Sequence, residues 1–197
     1  MKQEKSLEEY LADNPYLLLS NPKIRELSNS IVINCKTEVE KITKIYEYVR
    51  DQFPHSIDCK GTKVSVSALD VINNGHGICY AKSNLLAALL RVQGIYTGFC
   101  YQRLTLDDND DAKGYCIHAL NAVYINNEWH RIDARGNKPG IDAQFSLDRE
   151  QLAFGIRSKY KEVDYPTIYV EPLPCTLEAL QCSKNVEVLI KKLPNSI

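Results

Sequence analysis

The 197-residue chain has no long apolar run. Its longest, Leu85 to Leu90, falls far short of the roughly 20 residues a membrane helix needs. It also has no excess of charge. The 24 Lys and Arg balance 25 Asp and Glu to a net −1, which argues against a large phosphate-binding surface and so against nucleic acid as a partner. No internal repeat or low-complexity stretch is visible. The opening "MKQEKSLEEY" is charged and lacks the apolar centre of a secretory signal. The seven cysteines are odd in number and irregularly spaced, which does not suit a disulfide framework and fits free thiols in a reducing compartment. These absences leave the expectation of a cytoplasmic protein folded as one domain over residues 1–197, with neither membrane nor nucleic acid as partner.

What is present begins with helix signals. Ser6 is placed to cap "LEEYLAD", and Pro22 suits the first turn of "KIRELSNSIV". Thr37 with Glu40 forms a capping box, behind which Val39, Ile42, Ile45, Val49 and Phe53 recur at helical spacing until Pro54. "VSALDVINNG" reads as a short helix closed by Gly75. The helix opened by Cys79 carries Leu85, Leu86, Leu89, Leu90 and Val92 with alanines between them. Apolar residues on nearly every side make it central, and Gly94 ends it.

The middle of the chain reads as strand. "IYTGFCYQRLTL" is rich in β-branched and aromatic residues. "DDNDDAKG" reads as a solvated hairpin loop; Ala112 and His118 stand where a calcium loop needs its glycine and closing glutamate. In "YCIHALNAVYINNEWHRIDARG", Asn126 and Asn127 supply a two-residue turn, since Asn tolerates positive φ. That turn sets Tyr124 opposite Trp129. Alternation then puts His118, Leu120, Ala122, Trp129, Arg131 and Asp133 on one face, with His118 and Asp133 as diagonal neighbours about 7–8 Å apart. From about Leu147 the pattern weakens into a short helix, a proline-interrupted stretch, and helical stretches near Leu177–Leu180 and Val186–Lys192. This part is expected to wrap the core without chemistry of its own.

Three residues have one chemical logic. A thiolate at Cys79 would gain from the unpaired N–H groups at a helix start, and those groups can also hold an oxyanion. Gly75 and Gly77 would let the backbone turn and leave room for substrate. His118 could take the thiol proton and Asp133 could orient the imidazole. Each has a plainer reading: a core cysteine, a satisfied strand histidine, a strand-end aspartate. Core placement is the default for Cys35, Cys59, Cys100, Cys116, Cys175 and Cys182. A zinc site on His76, Cys79, Cys116 and His118 is the sharpest rival, although the C-x-H spacing is tight. His55 and His130 show no partner, so surface or satisfied polar roles are expected of them.

"GHGICYAKSNLLAALLRVQGI", "YCIHALNAVYINNEWHRIDA" and "EVEKITKIYEYVRDQF" together resemble the transglutaminase-like domains of the papain-like cysteine enzymes. The resemblance covers about residues 37–136. It implies an α+β fold, with a helical N-terminal part and a buried cysteine-bearing helix packed on an antiparallel sheet. It also implies a Cys79–His118–Asp133 triad working through a thioester, with no cofactor and no metal. The activity implied is that of a cysteine peptidase or amidase on a protein or peptide substrate. Protein-glutamine transamidation and a non-catalytic binding module are the alternatives. The oxyanion-hole side chain, upstream of the cysteine in this family, and the oligomeric state are left unassigned.

Overall fold

The computed structural model describes residues 1–106 and 113–197. A two-residue strand β1 (Lys2–Gln3) precedes a 3₁₀ turn at Leu7–Leu11, where Ser6 and Glu9 form a capping box. Asn21 caps α1 (Pro22–Val32) by accepting the Lys23 N–H, with Pro22 in the first turn. Thr37 and Glu40 cap α2 (Glu38–Gln52), which stops where Pro54 removes a donor. Ser67 and Asp70 form a third capping box on α3 (Ala68–Asn74), closed by Gly75 at φ 74°.

Then comes α4 (Cys79–Val92), the centre of the molecule. All six residues from Leu85 to Leu90 have no solvent exposure, and α1, α2, α3 and the sheet pack around them. Polar residues on this helix are buried too, so each needs partners. Arg91 finds them in main-chain carbonyls: its guanidinium donates to Thr97, Ala12 and Val170 at 2.6–3.0 Å. That one side chain ties α4 to the first strand of the sheet and to both outer segments.

Against α4 lies an antiparallel sheet of β2 (Thr97–Thr105), β3 (Tyr115–Ile125), β4 (Glu128–Ile132) and β5 (Val163–Asp164), in the order β4-β3-β2-β5. Asn126 and Asn127 take φ 52° and 63°, the positive values a two-residue hairpin turn demands, and Tyr124 pairs with Trp129 as that turn dictates. Alternation along β3 divides two cores. Ile117, Ala119 and Val123 pack in the cluster built on α4; Leu120 and Ala122 pack with Tyr10, Cys100, Ile168 and Val170. The second cluster is closed by β1 pairing in parallel with β6 (Thr167–Ile168). Gly98 is required here, since a Cβ on it would lie 2.3 Å from the Ile168 side chain.

The chain ends in α5 (Pro174–Gln181) and α6 (Val186–Ile190), close to the two helical stretches expected. No helix forms near Leu147; residues 147–157 run irregularly before a 3₁₀ turn at Ser158–Tyr160. Most of the "DDNDDAKG" reading falls on residues 107–112, outside the described residues. Among the described residues, no helix is long and apolar enough to cross a membrane.

Leu86→Ala would empty a fully buried site and should cost about 2–5 kcal/mol, whereas Thr37→Ala removes only a cap and should cost about 0.5–2 kcal/mol. Urea unfolding of the two variants beside the parent chain measures both; equal losses would contradict α4 as the centre of the core.

Candidate active site

Cys79 is the first residue of α4, and no side chain caps that helix at Ile78. The N–H groups of the first turn therefore remain for a ligand. Two contacts fix where the thiol stands. The Tyr80 hydroxyl donates to the Ile117 carbonyl at 2.7 Å, pinning the first turn to β3, and Gly77 bridges in parallel to His55. Gly77 does not leave open space: a Cβ there would sit 3.2–3.4 Å from Val71, Ala81 and Lys82. Its missing side chain lets the loop press onto the helix instead. Gly75, by contrast, has nothing within 4 Å of a built Cβ and serves the positive φ of the α3 cap.

The β3–β4 hairpin brings His118 and Asp133 together. His118 Nε2 lies 2.8 Å from Asp133 Oδ2, with the two side chains 6% and 1% exposed. Cys79 lines the same cavity as His118 and acts on the imidazole electrostatically. Asp133 is fully occupied. Its Oδ1 accepts the Arg135 N–H at 3.0 Å, its Oδ2 also accepts the Ala153 N–H at 3.2 Å, and its carbonyl accepts the Tyr46 hydroxyl at 3.2 Å. Phe154 stands edge-on to the imidazole, with ring centroids 5.0 Å apart.

Electrostatics follow from this geometry. Burial alone would strip the proton from His118, but Asp133 and Cys79 together outweigh it and push the pKa up to about 10. Burial likewise works against the Asp133 charge. His118 and the N–H groups of Arg135 and Ala153 prevail and hold the carboxyl below its usual range. At neutral pH the imidazole therefore carries its proton beside an ionised aspartate.

The cluster opens into a cavity of about 500 Å³. Cys79, His55, His118 and Arg135 line its polar side, while residues such as Ile57, Leu104 and Leu193 make apolar walls. His55, expected at the surface or in a satisfied polar role, is 7% exposed and faces this cavity. Burial first, then the Arg135 charge, lowers its pKa to about 3, so the ring is neutral. Its Nδ1 faces the Ile57 N–H at 3.4 Å, which leaves the proton on Nε2. The expectation that the last quarter has no part in the chemistry is also corrected. Ala153 supplies a hydrogen bond to Asp133, and Phe154, Gly155, Arg157 and Glu162 line the cavity. A main-chain N–H leaves no residue-type signal, so only the folded path reveals this role.

The zinc reading loses its geometry. His76 Nδ1 is 2.9 Å from Ser56 Oγ, and no group of three or more possible metal ligands converges among the described residues. All seven cysteines are free. Cys100 is buried, as core placement would have it, but Cys59 and Cys182 are exposed and Cys35, Cys116 and Cys175 only half-buried. These last lie in loops, at the end of β3 and near helix termini, where packing is incomplete.

Residues 25–134 match the transglutaminase-like superfamily. Among solved structures, a candidate cysteine protease from Cytophaga hutchinsonii superposes with a TM-score of 0.54 at 20% identity, over 67% of this chain and 43% of that one. The periplasmic domain of TgpA from Pseudomonas aeruginosa gives 0.47 at 16% identity, over 64% and 45%. The chain thus spans less than half the length of either, and at 20% identity the likeness to the first is one of fold. No curated protein matches the chain. A match over more than half of its residues, on the α+β scaffold described above, places the chain in the transglutaminase-like superfamily.

Proposed function

We propose that the protein is a thiol-dependent enzyme that cleaves amide or peptide bonds in a protein or peptide substrate. The observation that carries this reading is His118, hydrogen-bonded to the buried carboxylate of Asp133 and lining the same cavity as Cys79. Cys79, its proton already passed to His118, attacks the acyl carbon through its sulfur. The oxyanion that forms is met by the N–H groups at the start of α4, and the neutral His55 Nε2–H is the side-chain donor on the same wall. His118 then protonates the departing amine, leaving a thioester, and water drawn onto the acyl carbon releases the acid. Asp133 stays ionised throughout and keeps the imidazole oriented. The seven free thiols agree with a reducing, cytoplasmic setting.

The direct assay is release of a chromogenic amine from a panel of peptide anilides. Cys79→Ala should abolish it, and His118→Ala should lower the rate constant by about 10²–10⁴-fold. Unchanged turnover in Cys79→Ala would defeat the thiol mechanism, and no turnover in the parent chain would leave a binding module. Turnover only with an added amine acceptor would point to transamidation.

A second outcome concerns pH. His118 holds its proton well above the 6.5 of an unfolded histidine. The stability it draws from Asp133 is therefore complete below about pH 6.5 and fades as pH rises through about 10. Histidine NMR should show His118 titrating near that upper value in the parent and lower in Asp133→Asn. A His118 midpoint at or below 6.5 in the parent would contradict the pairing.

A further inference from the structure

Lys82 follows Cys79 by three residues, one turn along α4, and is 1% exposed. Every residue from Leu85 to Leu90 beyond it is apolar, so a leucine would suit the position by packing alone. An ammonium group removed from water is costly unless its donors are met. Lys82 Nζ donates to two main-chain carbonyls from different parts of the chain: Arg50 at the end of α2, at 3.2 Å, and Arg135 beyond β4, at 3.1 Å.

The second of these bears on the proposed reaction. The N–H of that same Arg135 donates to Asp133 Oδ1 at 3.0 Å. The turn 133–136 is thus gripped twice, by the Asp133 carboxylate at the Arg135 nitrogen and by the cysteine helix at the Arg135 oxygen. Gly136 completes the arrangement. It takes φ 107°, and a Cβ there would fall 3.5 Å from Lys82 Nζ and 3.4 Å from the Arg50 carbonyl.

We propose that Lys82 is a positioning residue for the acyl-transfer site, clamping the Asp133 turn onto the helix that carries Cys79. The assignment rests on the cysteine-enzyme reading above. With the clamp in place, Asp133 is set relative to the same helix as the nucleophile, and His118 between them has one orientation available. The charges around Lys82 fit this role. Burial lowers its pKa to about 7, Asp133 is the first of the groups that pull it back up, Asp51 and Asp58 add to that, and Arg135 opposes. His55, on the adjoining loop, is neutral.

The test uses Lys82→Met in the full chain, a change that keeps side-chain length and removes the donor. Two readouts apply. One is protection of the His118 Nε2–H against solvent exchange, followed by NMR without substrate. The other is acetylation by p-nitrophenyl acetate, separated into the rate constant at saturation and the half-saturating concentration. Loss of protection, with at least a tenfold fall in the saturated rate and an unchanged half-saturating concentration, is expected. Retained protection and rate, with only a lower melting temperature, would overturn the proposal. Should Lys82→Met not fold, Gly136→Ala perturbs the clamp from the other side and is read by the same two criteria. If the parent chain shows no acetylation at all, the enzyme reading fails, while NMR protection still decides the role of Lys82.

Discussion

One buried contact constrains the rest: the 2.8 Å hydrogen bond between His118 and Asp133. A carboxylate with almost no exposure is tolerable only if its lone pairs are filled, and an imidazolium beside it only if the carboxylate stays charged. The surroundings meet both demands from distant parts of the chain. Arg135 and Ala153 donate main-chain N–H groups to the carboxylate, Tyr46 reaches the backbone of Asp133, and Phe154 covers the imidazole edge. Removing either main-chain N–H would leave the carboxylate short of a partner, and the Ala153 donor lies on the irregular segment after Leu147.

The second demand is that Cys79 arrive beside this pair and stay there. That is the work of α4. Its leucines and alanines fill the space between helices and sheet, and its few polar side chains act as struts to fixed carbonyls. Arg91 reaches both outer segments from one end, and Lys82 reaches the Asp133 turn from the other. Cys79 is therefore held by packing along the helix and by directional bonds at its two ends. Rigid placement of this kind is what the proposed acyl transfer would require, since small misplacements of reacting groups are expensive.

Much of this was legible in the sequence, and the reason is locality. The Thr37–Glu40 capping box, the left-handed stop at Gly75 and the Asn126–Asn127 turn each act within a few residues, so residue type alone reports them. The turn in turn sets strand register, and register places His118 and Asp133 on one face. What stayed hidden depends on chain path. His55 enters the cavity because Pro54 ends α2 and the following loop bridges to Gly77, which no periodicity reveals. The Ala153 contribution is a backbone donor, and the Lys82 clamp joins carbonyls 85 residues apart in sequence, Arg50 and Arg135.

In the proposed reaction, geometry and not accessibility selects Cys79 as the nucleophile. Cys59 and Cys182 are exposed, whereas Cys79 is only half-buried, so a simple thiol reagent would favour the former pair. Brief treatment with p-nitrophenyl acetate at neutral pH, followed by peptide mass mapping, separates the two. An acetyl thioester on Cys79 in the parent chain, and none there in His118→Ala, is expected. Label spread over Cys59 and Cys182 with Cys79 unmodified would contradict it.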